Sequence, residues 1–484
     1  MKKLFIFSGT IVIVLVTIVL FRTFTIADFQ PELAEVTAVG EVDPLALEHL
    51  SEALRFKTIS HHPAMMDKQA FDTLGSWMRV TYPNFFRSVE VDTVSTHTYI
   101  IKWSGASSEK PILFMAHQDV VPVDASTENE WVAGAFDGQI VDDYLYGRGA
   151  LDDKGSMIAL LEAAESLCSK NFTPAQDYWF CFGQDEEIGG ANGAELASAW
   201  FEEKGIKFDW VLDEGGIISK GIIPGIEPPV GLIGIAEKGY ISVTIRANYE
   251  GGHSSMPRDT NSITVLSEAI QALNKSPFPP SLDGPMEGFL QYIAPYSSFS
   301  LKTAAANRWL LEDVILKTYM KTPSGAALVR TTWSPTIIRA GVKDNVIPET
   351  AVLTCNSRIL PGHTTEDVLN HYRAALEGLP VDVEVYDLAI DPSPVSSYQS
   401  EAFERIGSVA RATFAEEQLI VAPYLVIGAT DGRHMYNVTD QVYRFYPFVF
   451  ESDDLARLHG MNERISRANF EKGVEFYRNL MSQP

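Results

Sequence analysis

Hydrophobic positions along the chain form short runs that alternate with longer amphipathic stretches. Apolar runs at 111–115, 178–182 and 210–212 predict buried β-strands. Between them, residues 154–169 and 193–204 repeat apolar side chains at helical spacing. Strands that alternate with helices in this way predict an α/β fold built on a doubly wound, mostly parallel sheet.

The alternation changes after residue 238. Residues 240–247 alternate polar and apolar side chains, and a similar strand returns at 351–359. Such alternation predicts strands that are buried on one face only. Between these strands lies a helical stripe of apolar residues, Trp309, Leu310, Val314, Ile315 and Tyr319. We expect core packing to be the cause of this stripe, although an apolar acyl group would also suit so apolar a segment.

The N-terminus differs from the rest of the chain. Met1-Lys2-Lys3 precedes an uncharged, mostly apolar stretch from Leu4 to Phe21, and Arg22 follows. The lysines should stay in the cytoplasm while the rest is exported. The stretch is just long enough to span a bilayer, so residues 1–27 predict an uncleaved membrane anchor. A secretory signal cleaved after Ala27 is the alternative.

Composition agrees with a large enzyme-sized body. The 484 residues, 46% hydrophobic and 21% charged, suggest about three domain-sized units, or two units of which one is interrupted. The formal net charge of −25 argues against nucleic acids and anionic membrane surfaces as partners. The cysteines, Cys168, Cys181 and Cys355, are odd in number and show no CxxC spacing, so neither a disulfide scaffold nor a cysteine metal site is indicated.

Candidate chemistry begins where the first apolar run ends, at His117 and Asp119. Side chains at i and i+2 share one face of a strand, so Asp119 could orient the His117 ring. A carboxylate orients a metal-bound histidine in the same way. Taken alone, however, the pair is more often a hydrogen-bonded pair at a strand end.

Three acidic clusters strengthen the metal interpretation. Asp152-Asp153 follow a glycine-rich turn, residues 185–187 end the second apolar run, and Asp213-Glu214 end the third. A helix cap or a solvated loop would explain any one of them. Together, so many like charges at strand ends would be costly without a cation. Ligands of open α/β sheets bind beyond the carboxyl ends of strands, where these clusters should meet.

These segments resemble the dinuclear zinc hydrolases that include carboxypeptidase S, the aminoacylases, acetylornithine deacetylase and succinyl-diaminopimelate desuccinylase. That family carries His-x-Asp, then Gly-x-Gly-x-x-Asp-x-Lys-Gly, then Glu-Glu, a further acidic ligand and a late histidine. All occur here in that order, and the resemblance runs from about residue 45 to the C-terminus. The carboxypeptidase S branch is the most similar, because of the segments 211–216 and His459-Gly-Met-Asn-Glu463.

The resemblance implies two zinc ions, for which Co²⁺ or Mn²⁺ could substitute. The implied ligands are His117, Asp152, Glu187, Asp213 and His459. Asp152 would bridge the ions, with His117 and Glu187 completing one site and Asp213 and His459 the other. The choice between Asp213 and Glu214 stays open, and we prefer Asp213.

Catalytic roles are implied for Asp119 and Glu186. Asp119 would hold His117, and Glu186 would be the general base. Glu186 would take a proton from the attacking water and pass it to the departing amine. Zinc would lower the pKa of that water and polarise the scissile carbonyl.

The residues implied to bind substrate are His253, Asn345, Arg358 and Arg433. His253 lies in a Gly-Gly-His-Ser-Ser segment that resembles the family's lid motif, whose histidine hydrogen-bonds the carbonyl oxygen, often in the partner subunit. Arg358 would grip a substrate carboxylate with its guanidinium fork. The alternative is that Arg358 pairs with a neighbouring acid on an exposed strand. Arg433 belongs to a loop at 428–433 that would line the cleft.

By pattern and resemblance together, the chain divides into an anchor or signal (1–27), a linker (28–44), a catalytic domain in two parts (45–238 and 389–484) and an inserted α+β lid domain of the dimerisation type (239–388). The lid implies a homodimer.

The implied function is that of an exported zinc hydrolase, located outside the cytoplasm. It would remove a C-terminal amino acid from a peptide or an N-acyl amino acid, so its substrate carries a free carboxylate. One alternative is an N-acyl, including fatty-acyl, amino acid hydrolase or synthase with little peptidase activity. An alternative of another class is a membrane-tethered binding protein without catalysis.

Overall fold

The computed structural model describes residues 2–36, 41–62 and 65–483. Its helices, numbered along the chain, are α1 (Lys2–Phe24), α2 (Ala46–Leu54), α3 (Lys68–Thr81), α4 (Pro83–Ser88), α5 (Lys154–Cys168), α6 (Ala194–Glu203), α7 (Ser262–Lys275), α8 (Pro285–Ile293), α9 (Phe299–Ala306), α10 (Arg308–Tyr319), α11 (Pro323–Val329), α12 (Thr365–Ala375), α13 (Glu401–Thr413) and α14 (Arg467–Met481).

The strands are β1 (Glu90–Val94), β2 (Thr98–Trp103), β3 (Ser107–His117), β4 (Gln139–Val141), β5 (Tyr144–Tyr146), β6 (Gln176–Gly183), β7 (Trp210–Asp213), β8 (Ile218–Ser219), β9 (Val230–Glu237), β10 (Gly239–Asn248), β11 (Gly252–His253), β12 (Thr332–Ala340), β13 (Val346–Ile347), β14 (Thr350–Ile359), β15 (Val381–Ile390), β16 (Ile420–Val426), β17 (Val442–Arg444), β18 (Val449–Phe450) and β19 (Arg464–Ser466).

A ten-stranded sheet forms the centre of the described chain, in the order β1-β2-β6-β3-β7-β17-β9-β8-β18, with β16 beside β9. The neighbours β6, β3 and β7 run parallel, whereas β1 and β2 form an antiparallel edge. The three predicted apolar runs lie in β3, β6 and β7. The predicted α/β class and mostly parallel sheet are therefore confirmed.

Both faces of this sheet are buried. Two consecutive residues of β3, Phe114 and Met115, belong to separate hydrophobic clusters, and so do Phe180 and Trp179 of β6. One cluster includes apolar residues of α5 and α14, and the other includes residues of α6. Continuous apolar runs thus reflect strands covered by helices on both sides, as a doubly wound sheet requires.

A second, smaller unit follows β9, and we call it the lid unit. It is an antiparallel sheet in the order β12-β14-β10-β15 with its own apolar cluster, which includes α7 and α12. Both helices begin with a capping box, formed by Asn261 with Thr264 and by Thr364 with Asp367. Ile241 and Val243 point into the cluster while Tyr240 does not, which explains the alternation in the sequence.

The predicted core packing of the apolar stripe is wrong for three of its residues. Trp309, Leu310 and Val314 are 55%, 45% and 54% exposed. Ile315 is buried, and it belongs to the main core with residues of α8 such as Phe289. The helix α10 therefore lies on the surface and buries only one face.

The N-terminal segment lies against the body. Asn307 donates to the Val19 carbonyl oxygen at 3.2 Å, which ties the C-terminal half of α1 to the body. Part of the predicted linker also packs here, since the Gln30 side chain exchanges two 2.8 Å hydrogen bonds with the Val421 backbone. In the described residues, no helix combines the length and apolar character needed to cross a membrane. The predicted anchor gains no support from this finding.

Candidate active site

The predicted metal ligands meet at one edge of the main sheet. His117 is the last residue of β3, Asp213 is the last residue of β7, and Glu186 and Glu187 lie in a short 3-10 helix after β6. Because these three strands are parallel neighbours, their carboxyl ends open into the same crevice. Asp152 enters the crevice from the loop before α5.

Asp152 lies at the centre of this arrangement. Its Oδ1 is 3.0 Å from His117 Nε2, and its Oδ2 is 3.0 Å from His459 Nε2. His459 Nε2 is also 3.2 Å from Glu187 Oε2. Among the residues that the structure describes, two groups offer ligand atoms within 4.8 Å of one another: His117 with Asp152 and Glu214, and Asp152 with Glu187 and His459. Only Asp152 belongs to both, as a bridging ligand must.

This arrangement differs from the expected one in two ways. His117 is grouped with Glu214 rather than Glu187, and Glu187 with His459. The preferred ligand Asp213 lies in neither group, because its Oδ2 accepts a 2.5 Å hydrogen bond from the Gly432 amide. Successive residues at a strand end point in opposite directions. Of these two adjacent acids, Glu214 offers a ligand atom to a group, and Asp213 does not.

The donor set suits divalent metal ions. Buried Glu187 Oε1 has no hydrogen-bond partner within the described chain. Burial raises the pKa of Glu214 well above its usual range, and Asp152 and other carboxylates raise it further. Hydrogen bonds to Asp152 and Glu187 raise the pKa of His459 to about 10. All three effects indicate an excess of negative charge in this cluster, which bound cations would balance. Imidazole and carboxylate groups are ligands that zinc accepts.

Asp119 connects His117 with Glu186. Its carboxylate accepts hydrogen bonds from the Glu186 and Glu187 amides at 3.1 and 3.2 Å, and its Oδ1 lies 3.3 Å from His117 Nδ1. Glu186 itself lies in neither ligand group. Burial is the main cause that raises the pKa of Glu186 well above its usual range. A carboxylate with a raised pKa is suited to accept and return a proton.

Two residues of this site were missed in the sequence, Arg148 and Glu463. One oxygen of Glu463 accepts three backbone N–H groups of loop 149–152, including that of Asp152 at 3.1 Å. Arg148 donates to the other oxygen at 2.6 Å and to the His459 carbonyl oxygen at 2.9 Å. Both residues lie within the quoted motifs, but nothing in the sequence shows that they pair. They fasten the loop of Asp152 to the loop of His459.

The substrate-binding candidates lie outside both ligand groups. His253 is exposed on β11, which pairs with β13, so the lid unit brings Asn345 close to it; the Ser254 amide donates to the Asn345 carbonyl oxygen at 3.2 Å. Arg358 stacks over the Tyr240 ring at 4.9 Å. Arg433 donates to the Gly189 carbonyl oxygen at 2.7 Å, so it supports the loop that carries the two glutamates.

Comparisons with known proteins identify relatives of this chain. The model of a family described as Peptidase family M20/M25/M40 matches residues 113–483. The chain is 36% identical to a probable carboxypeptidase S-like 2 of Dictyostelium discoideum, over 90% of this chain and 84% of that protein. It is 33% identical to the N-fatty-acyl-amino acid synthase/hydrolase PM20D1 of Xenopus tropicalis, over 97% of this chain and 92% of that protein.

Solved structures show the same fold. The M20 family metallo-carboxypeptidase Sso-CP2 of Sulfolobus solfataricus has a TM-score of 0.65 at 20% identity, over 91% of this chain and 98% of that one. The YXEP protein of Bacillus subtilis, described as a dinuclear metal binding peptidase, has a TM-score of 0.57 at 13% identity, over 91% of this chain and 98% of that one. At these identities the likeness concerns the fold alone.

Proposed function

The chain belongs to peptidase family M20/M25/M40 and is a hydrolase of that kind, and we propose that it is a dinuclear zinc enzyme that cleaves the amide bond between an acyl group and an amino acid with a free carboxylate. The observation that carries this proposal is the pair of ligand groups that share Asp152, with Glu186 beside them but in neither group.

The chain's own residues account for the proton transfers. His117 and Glu214 would hold one ion, Glu187 and His459 the other, and Asp152 both. When bound, the ions would lower the pKa of a water molecule and polarise the scissile carbonyl. Glu186 would accept the proton of the attacking water and deliver it to the leaving nitrogen. Asp119 would hold Glu186 and His117 in position relative to each other through the hydrogen bonds described above.

The lid unit supplies the remaining groups. His253 and Asn345 lie next to each other, and neither contributes to a ligand group. We propose that His253 hydrogen-bonds the scissile carbonyl oxygen, either after closure of the lid unit or from a second copy in a homodimer. Arg433 would support the loop of Glu186, which its bond to Gly189 favours over direct contact with substrate.

Two substrate classes remain within this proposal. The similar proteins are named for carboxypeptidase S and for synthesis or hydrolysis of N-fatty-acyl amino acids. Hydrolysis of either substrate class would release an amino acid with a free carboxylate. We also propose export from the cytoplasm, for which the lysines and the apolar stretch at the N-terminus are the support.

Metal content and turnover test the proposal together. The purified chain should hold close to two zinc ions, lose activity to a chelator and regain it with Zn²⁺, Co²⁺ or Mn²⁺. A panel of dipeptides and N-acyl amino acids with a common leaving amino acid would then identify the substrate class. Unchanged turnover after verified removal of metal would refute the mechanism.

A further inference from the structure

Three cationic side chains lie together where the lid unit joins the body. Lys238 connects β9 to β10, Arg330 lies between α11 and β12, and Arg358 lies near the end of β14. In the described chain, none of the three has a carboxylate oxygen within ion-pair distance. The Arg330 Nε is buried and has no hydrogen-bond partner there.

The strand register, continued by two residues before β10 and β12, indicates that these cations share one face of the antiparallel sheet of the lid unit. Arg358 is directly opposite Tyr240 on β10 and Thr332 on β12. Opposed residues share a face of an antiparallel sheet, and residues two positions apart on a strand do so as well. Lys238 precedes Tyr240 by two residues, and Arg330 precedes Thr332 by two.

Contacts of the Lys238 side chain agree with this placement. The Lys238 ammonium donates to the Arg330 carbonyl oxygen at 2.8 Å and to the Ala327 carbonyl oxygen at 2.8 Å. Burial, followed by the nearby Arg358 and Arg330, lowers the pKa of Lys238 to about 7. The amino group therefore holds the backbone at Arg330, while both guanidinium groups keep donors without a hydrogen-bond partner among the residues that the structure describes.

Unpaired arginines are unexpected in so acidic a chain, which has 63 acidic and 38 basic residues. Elsewhere, Arg308 binds Asp283 and Glu312 at 2.7 Å each. Two neighbouring guanidinium groups repel each other, and a buried donor without a partner costs free energy. An anion would remove both penalties.

We propose that Arg330 and Arg358 form a two-arginine site for the carboxylate of the substrate's amino acid, with Lys238 as the residue that positions Arg330. The resemblance in sequence implies only Arg358, so Arg330 is a new specificity residue. This inference rests on the proposed function. Two guanidinium forks can engage both oxygens of a carboxylate, which a single lysine cannot do.

The cluster is also adjacent to the catalytic edge. The Lys238 amide donates to the Val426 carbonyl oxygen at 3.1 Å, at the end of β16. The loop that follows β16 contains Thr430, which binds the Glu237 carboxylate, and Gly432, which binds Asp213. Lys238 is therefore bonded to the strand that leads into the loop that supports β7.

Kinetics on a matched substrate pair test the site. N-Decanoyl-leucine and its C-terminal amide would be compared in the zinc-loaded full chain and in Arg330→Met, Arg358→Met and the double variant. Each single change should lower kcat/KM for the acid roughly 10-fold or more, mainly through KM, and should hardly affect the amide. Arg330→Lys, which keeps the charge but not the fork, should show a partial loss. Arg246→Met, on the exposed part of β10, should match the wild type.

Calorimetric titration separates failure of this site from failure of the proposed function. The acid and inorganic phosphate would each be titrated into wild type and Arg330→Met at a metal loading that is verified. Weaker binding of the acid by the variant would support the site even if turnover is absent. Equal binding of the acid by both proteins would refute it. Phosphate binding that depends on Arg330 but does not compete with the acid would show a site for a free inorganic anion and would overturn the assignment to substrate.

Discussion

The crevice of Asp152 and the cluster at the lid junction are opposite in charge. The crevice gathers more carboxylates, such as Glu187 and Glu214, than cationic side chains, and the junction gathers arginines with no acid within ion-pair distance among the described residues. The crevice is held by many buried hydrogen bonds, including the three amides at Glu463, whereas the two arginines are only partly buried. Unbalanced charge indicates where a ligand would bind. The packing around the charged side chains decides how firmly the protein holds those side chains in position.

The sharpest test within the crevice separates its base from its ligands. Glu186→Gln should lower kcat by about 10²–10⁴-fold, the usual contribution of a general base, and should keep both metal ions. Glu187→Gln should lose metal, because Glu187 belongs to a ligand group. Metal analysis beside single-turnover rates provides the measurement. Equal metal loss in both variants would mean that the two glutamates do not divide these roles.

The next test concerns the two acids at the end of β7. Glu214→Gln should reduce metal content to about one ion and lower activity by more than ~100-fold, since loss of a ligand should exceed the effect of losing a supporting residue. Asp213→Asn should keep both ions, because Asp213 binds the Gly432 amide instead. Metal titration with a chromophoric chelator measures both. The reverse result would restore Asp213 as the ligand.

This pair of acids also shows how far sequence reasoning reaches. The apolar runs predict β3, β6 and β7, and parallel order brings His117, Glu187 and Asp213 to one edge. Asp213 lies outside both ligand groups and binds the Gly432 amide, a contact with a residue more than 200 positions away in sequence. The prediction that the apolar stripe on α10 packs in the core was wrong for a similar reason. Helical spacing does not reveal which neighbouring element, if any, covers a face of the helix.

The pair of Arg148 and Glu463 tests how rigidly the crevice is held. Glu463→Gln should weaken metal binding at the site of Asp152 and His459 by about 10–100-fold, the usual effect of losing a residue that orients ligands. Asp177→Asn is the matched control, since Asp177 is a buried carboxylate that binds Lys102 and the Gly105 amide elsewhere. The control should leave metal affinity unchanged. A similar loss in both variants would show a general effect on stability instead.

The smallest effect is expected where charge is already balanced. His49 Nδ1 lies 2.6 Å from Glu162 Oε1, and the hydrogen bond to Glu162 is the main cause that raises the pKa of His49 in the folded state. Its contribution to stability is therefore complete below the unfolded pKa of about 6.5 and is lost as the pH rises through the folded pKa.

Because His49 is half-buried, this contribution should stay below about 1 kcal/mol. Urea unfolding of the wild type and of His49→Gln at pH 5.5 and 8.5 measures this contribution, and only the wild type should lose it at the higher pH.

The contribution of His49 to the free energy of unfolding should be the same with and without zinc and with and without an N-acyl amino acid. The pair completes its own charge, so it needs no ligand, unlike the crevice and the lid junction. A dependence of this contribution on zinc would show that the charge imbalance of the crevice extends along α5 to Glu162, and the contrast between balanced and unbalanced regions would then fail.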